Sequence, residues 1–157
     1  MIDPVQTSNP SVAEMMPWEL QPLNGGWRLP LEQRAVSRCS LDYAFILEFY
    51  EAKEKATLRI ESAFSIRDDK GFHEFIATKP AELGSALALF GQVVRLATVS
   101  QEGGLEIAFE DGRILSVEPD DCYEAWEMVA PGMYLVCAPG GRIDVWQDAI
   151  VSRPNVP

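Results

Sequence analysis

Histidine occurs once in this 157-residue sequence, as His73. Any catalytic arrangement that needs an imidazole must therefore be built on that one residue. Cysteine is scarce as well: Cys39, Cys122 and Cys137 are odd in number and show no C-x-x-C spacing. They make no disulfide framework, and with a single histidine they assemble no zinc site. All three sit in apolar, strand-like contexts, which predicts buried free thiols in a reducing cytoplasm. No cation precedes Arg28, so a Sec signal with a basic start is not expected. Apolar runs such as Ala86 to Phe90 fall far short of the ~20 residues that cross a bilayer. P-loop, nucleophile-elbow, H-E-x-x-H and dinucleotide motifs are missing too, and no cofactor or metal is expected.

Positive charge is the other shortage. Lysine and arginine number 13 against 24 aspartates and glutamates, a net charge of −11. That excludes a broad phosphate-tracking surface for nucleic acid, and it disfavours an anionic membrane. The excess is local. Residues 102 to 127 hold nine acids against Arg113 alone, a net −8. Within that stretch Glu118, Asp120 and Asp121 surround a Pro119 turn, with Tyr123 and Glu124 just beyond.

What is abundant is alternation. Leu41, Tyr43, Phe45, Leu47 and Phe49 read as one apolar face of a strand, and Leu58, Ile60, Phe64 and Ile66 as a second series. Glu51 to Ala56 reads as the charged loop between them. Asp68 to Gly71 reads as a turn. Asp111-Gly112 is a strong hairpin signal, and a two-residue type I′ loop would set Glu110 opposite Arg113. Pro80 and Glu82 mark a helix start, Leu83, Leu87 and Phe90 give one face, and Gly91 a stop. The expected fold is α+β, mainly antiparallel β: a bent sheet or roll of about eight short strands, with one helix at about 80–90. Residues 1–25, with four prolines, read as an extended, partly disordered leader. Residues 26–148 read as a single β-rich domain, and 149–157 as a tail.

The run Gly104-Leu105-Glu106-Ile107-Ala108-Phe109-Glu110-Asp111-Gly112-Arg113 is followed by Val117-Glu118-Pro119-Asp120 and Tyr123-Glu124-Ala125-Trp126. Pro139-Gly140-Gly141 and Ile143-Asp144-Val145-Trp146 close the series. Together they resemble a bacterial, mostly actinobacterial, family of small proteins of unknown function. Trp27-Arg28-Leu29-Pro30 and Leu58 to Phe64 extend the likeness more loosely. The resemblance implies an association with secreted toxins, and hence an immunity role.

Three functions follow as expectations. The first is a non-enzymatic cytoplasmic domain that neutralises a basic protein partner, a candidate toxin. Its contact surface would be Glu118, Asp120, Asp121, Tyr123 and Glu124, acting by charge steering. The second is a small enzyme or ligand-binding β-roll with a pocket near His73, a base beside Cys39 or Cys122. The third is a structural adaptor that self-associates through a strand edge. Trp126 and Trp146 are expected in the core.

Overall fold

The computed structural model describes residues 17–148. The expected tail, and the leader up to residue 16, lie outside the described residues. Strands are numbered in chain order. A seven-stranded sheet contains β1 (Gln21–Leu23), β2 (Gly26–Arg28), β6 (Ala63–Asp68), β7 (Gly71–Ile76), β8 (Val94–Ser100), β9 (Leu105–Phe109) and β10 (Ile114–Val117). A six-stranded sheet contains β3 (Val36–Leu41), β4 (Phe45–Glu51), β5 (Glu54–Ile60), β11 (Trp126–Ala130), β12 (Met133–Cys137) and β13 (Ile143–Gln147). Their spatial orders are β1-β2-β8-β9-β10-β6-β7 and β13-β12-β11-β5-β4-β3, with antiparallel pairing throughout.

The sheets face one another across one apolar core, because alternate residues of each strand share an inward side. Phe45 of β4 stacks on Phe64 of β6 at 5.1 Å between ring centres, and Phe64 on Phe75 of β7 at 5.2 Å. This aromatic column crosses from one sheet to the other. Such pairs add about 0.5–1.5 kcal/mol beyond the area they bury.

The α+β expectation is corrected in both of its parts. Two sheets of seven and six strands replace the single roll of about eight. The reason is visible at Glu61-Ser62, where the chain leaves β5 and enters β6 in the other sheet. Leu58, Ile60, Phe64 and Ile66 keep their period-two phase across that break, so alternation alone conceals it. The helix at 80–90 is also absent: Pro80–Glu82 and Gly84–Leu89 form successive 3-10 turns. Leu83, Ala86 and Leu89, three residues apart, are the buried side chains, while Leu87 and Phe90 are exposed. A spacing of three matches the 3-10 repeat, and the face read from 83, 87 and 90 belonged to a period the segment does not use. Gly84 lies at the junction of the two turns.

Three connections differ from expectation as well. The strand read through Leu41 to Phe49 is broken by a turn at residues 42–44, where Tyr43 takes φ +47° and points to solvent. The charged loop read at 51–56 shrinks to two residues, since Glu51 already pairs with Glu54. At the Asp111-Gly112 hairpin, Ile114 pairs with Ala108 and the Gly112 amide donates to the Phe109 carbonyl at 3.1 Å. Only Gly112 has positive φ, +94°, so the loop has three residues and a glycine bulge, not a type I′ turn. Arg113 therefore bonds Asp111, Nε to Oδ2 at 3.0 Å, and not Glu110.

Candidate functional site: an acidic loop and a tyrosine-flanked hollow

The acidic loop is held by backbone, not by a core of its own. Gly103 and Gly141 bring two turns into direct contact. A Cβ on Gly103 would lie 2.6 Å from the Gly141 carbonyl oxygen, and one on Gly141 would overlap the Glu102 carbonyl. Both have positive φ, so glycine is required twice over at each. The buried Trp126 indole donates to the Gly103 carbonyl at 3.1 Å, and the Cys137 thiol approaches the same oxygen at 3.5 Å. From this junction the Gly140 amide donates to the Asp120 carbonyl at 2.9 Å. Asp120 then accepts on Oδ1 from the amides of Cys122 at 2.7 Å and Tyr123 at 3.0 Å. The Ala125 carbonyl takes the amides of Glu61 and Ser62, at 2.9 and 3.3 Å. The Tyr-Glu-Ala-Trp and Pro-Gly-Gly stretches are thus the two halves of one clamp.

Outside the clamp lies an open hollow of about 420 Å³, lined by Tyr43, Arg59, Glu61, Ser62, Thr78, Asp120, Tyr123 and Glu124. Its volume falls within the range of small binding sites, about 300–1,000 Å³. Tyr43 and Tyr123 are the most exposed large apolar side chains among the described residues, at 79% and 73%. Arg59 is already engaged: Nε donates to Glu61 Oε1 at 2.7 Å, and Nη2 to the Asp42 carbonyl at 3.1 Å. The hydrogen bond to Glu61 holds its guanidinium more firmly protonated than usual. Among the described residues, Glu118, Asp121 and Glu124 make no ion pair, and the hollow keeps a net negative lining.

Of the five contact residues read from the sequence, Asp120, Tyr123 and Glu124 meet at this hollow, while Glu118 and Asp121 are exposed and do not line it. Asp120 carries a second task, because its carboxylate shapes the loop. Tyr43, Arg59, Glu61, Ser62 and Thr78 were missed. Residues 42–44 lack the glycine or proline that marks most turns, so Tyr43 was read as a core residue.

Other sequence expectations fall differently. Trp126 is buried, as read, but Trp146 is 55% exposed on the edge strand β13, tilted against Tyr134 at 5.2 Å. Cys137 is buried, Cys39 half-buried and Cys122 exposed in the acidic loop, so three buried thiols are corrected to one. His73 lies on the edge strand β7, with Nε2 at 3.5 Å from Asp68 Oδ2. It opens on a hollow with Ile66, Asp68, Lys70, Phe75, Ser85, Ala88 and Arg113, which neither Cys39 nor Cys122 lines. No cluster of three or more His, Cys, Asp or Glu side chains with metal-binding geometry occurs among the described residues. Nor is any helix there long and apolar enough to cross a membrane.

The fold and the hollow define an antiparallel two-sheet β protein with an acidic, tyrosine-flanked recess at one end of its interlocked loops. Residues 27–147 match the model of a family of unknown function, DUF6188, and the chain belongs to that family. No curated protein and no solved structure matches it.

Proposed function

We propose that this chain is a non-enzymatic protein-binding domain that docks a basic protein partner on the face carrying Glu118, Asp121, Tyr123 and Glu124. A toxin neutralised by occlusion is the partner class the sequence resemblance implies. One observation carries the reading: the two most exposed aromatic side chains, Tyr43 and Tyr123, flank the same recess, to which Asp120, Tyr123 and Glu124 bring part of the segment that holds most of the net charge. Tyrosine supplies contact area at low entropic cost and is enriched among energetically dominant interface residues. Unpaired carboxylates steer a cationic partner and orient its approach. Burial of Tyr123 then slows departure.

Asp120 acts here through the loop it shapes and not as a docking charge. Lysine at Asp121 and Glu124 is the clean charge reversal, since neither side chain holds the fold together. The test is site-specific photocrosslinking in the native host, with benzoylphenylalanine in place of Tyr123 and, as a control, of Phe72 on the β7 edge. A basic protein captured from position 123 alone, and lost in the Asp121→Lys/Glu124→Lys background, is the expected result. Equal adducts from both positions would sink the reading.

A further inference from the structure

The hollow has a specificity of its own. We infer that it is a receptor for a single arginine side chain of the partner, a conclusion that rests on the docking reading above and narrows it. Three features converge. Two exposed phenolic rings border the recess, and such rings attract cations to their faces, Arg more often than Lys. The carboxylate of Glu124 lies in the lining with no ion pair among the described residues. The cation already present, Arg59, is bound to Glu61 and Asp42 through separate nitrogens and leaves the negative lining in excess.

Arginine fits this chemistry better than lysine. Its planar guanidinium stacks on a tyrosine and presents two parallel donors to a carboxylate, and it gives up its hydration more readily than an ammonium. The backbone beneath both rings is set before the guest arrives: the Tyr123 amide is fixed by Asp120, and Tyr43 is itself a turn residue at positive φ.

The proposal is tested on the full chain with small probes at 150 mM salt. 15N-labelled protein is titrated with N-acetyl-arginine methylamide, its lysine counterpart, and the neutral isostere N-acetyl-citrulline methylamide. The arginine probe should shift the amides of residues 43, 59–62 and 120–124 and saturate in the millimolar range. Lysine should bind at least threefold more weakly, and citrulline should not saturate. Tyr43→Leu and Tyr123→Leu, checked for unchanged spectra elsewhere, should each weaken the arginine probe at least fivefold. Equal shifts from lysine and arginine, or shifts spread evenly over residues 102–127, would overturn the inference. If those outcomes occur while Asp121→Lys/Glu124→Lys still abolishes the crosslink, the arginine receptor is lost and the docking face stands. If the crosslink is indifferent to those charges too, both fall.

Discussion

Two charged ends of the molecule use their charges in opposite ways. At the hairpin end near His73, acids are consumed internally. Asp68 Oδ1 accepts from the amides of Lys70 and Gly71, at 2.8 and 3.1 Å, and its Oδ2 faces His73. Asp111 likewise holds both the amide and the guanidinium of Arg113. Turn chemistry engages both of these aspartates. In the acidic loop only Asp120 serves its own turn, while glycine contacts and the Trp126 hydrogen bond fix the backbone. Glu118, Asp121 and Glu124 are released to face outward. The difference teaches that carboxylates are left uncommitted where the backbone beneath them is held by something else.

Breaking the clamp should have the largest consequence. Gly141→Ala places a Cβ against the Glu102 carbonyl at a backbone angle alanine resists, and should cost roughly 3 kcal/mol or more. Urea denaturation measures it, with the near-ultraviolet signal of Trp126 reporting on the junction. The hairpin end should tolerate its worst glycine replacement better. A Cβ at Gly112 meets no neighbouring atom, so Gly112→Val mainly strains φ, for about 1–3 kcal/mol. An equal loss at both positions would erase the distinction between a clamped loop and a free one.

A smaller effect separates the two kinds of carboxylate within the loop. Asp120→Ala removes the acceptor for two amides and should cost about 1–2 kcal/mol, with faster hydrogen exchange at Cys122 and Tyr123. Asp121→Lys should change the unfolding free energy by less than about 0.5 kcal/mol. The smallest effect concerns Tyr134, whose hydroxyl donates to Glu127 at 2.5 Å. That bond, aided by burial and nearby negative charge, pushes its ionisation up to about 12. Because the folded value exceeds the unfolded one, the stabilisation is complete below the ordinary tyrosine value of about 10 and fades as pH rises through both. Absorbance titration at 295 nm should show one tyrosine ionising late, and Glu127→Gln should bring it back toward the others.

Strand segments and their antiparallel character were legible in the sequence, the two-sheet architecture and the lack of a helix at 80–90 were not, and the failures share a cause. Period-two alternation located most strands, and glycine with aspartate located the turns. What alternation does not encode is a strand that changes sheets in phase, as at Glu61-Ser62, or a turn made without glycine, as at Tyr43. The apolar positions 83, 86, 87, 89 and 90 satisfy a 3.6 and a 3.0 repeat about equally well, and Pro80 starts either kind of turn. The acids of residues 102–127 could be counted from the sequence, because charge density is one of its properties. The hollow that Asp120, Tyr123 and Glu124 share with Tyr43 and Arg59 forms only through long-range packing, which no local pattern announces. The same holds for Trp146, which the strand register sets opposite Tyr134 on the outward face of β13, while Val145 beside it packs against the core.

The central claim is that the outward carboxylates of this loop steer a basic partner while the clamp beneath them is indifferent to their charge. It is tested most directly by stopped-flow association of the crosslinked partner, purified, with wild type and Asp121→Lys/Glu124→Lys at 50 and 300 mM salt. The account predicts association slowed about tenfold at low salt, a flatter salt dependence, and an unfolding free energy within about 0.5 kcal/mol of wild type. The same rate and the same salt slope for both proteins would contradict it.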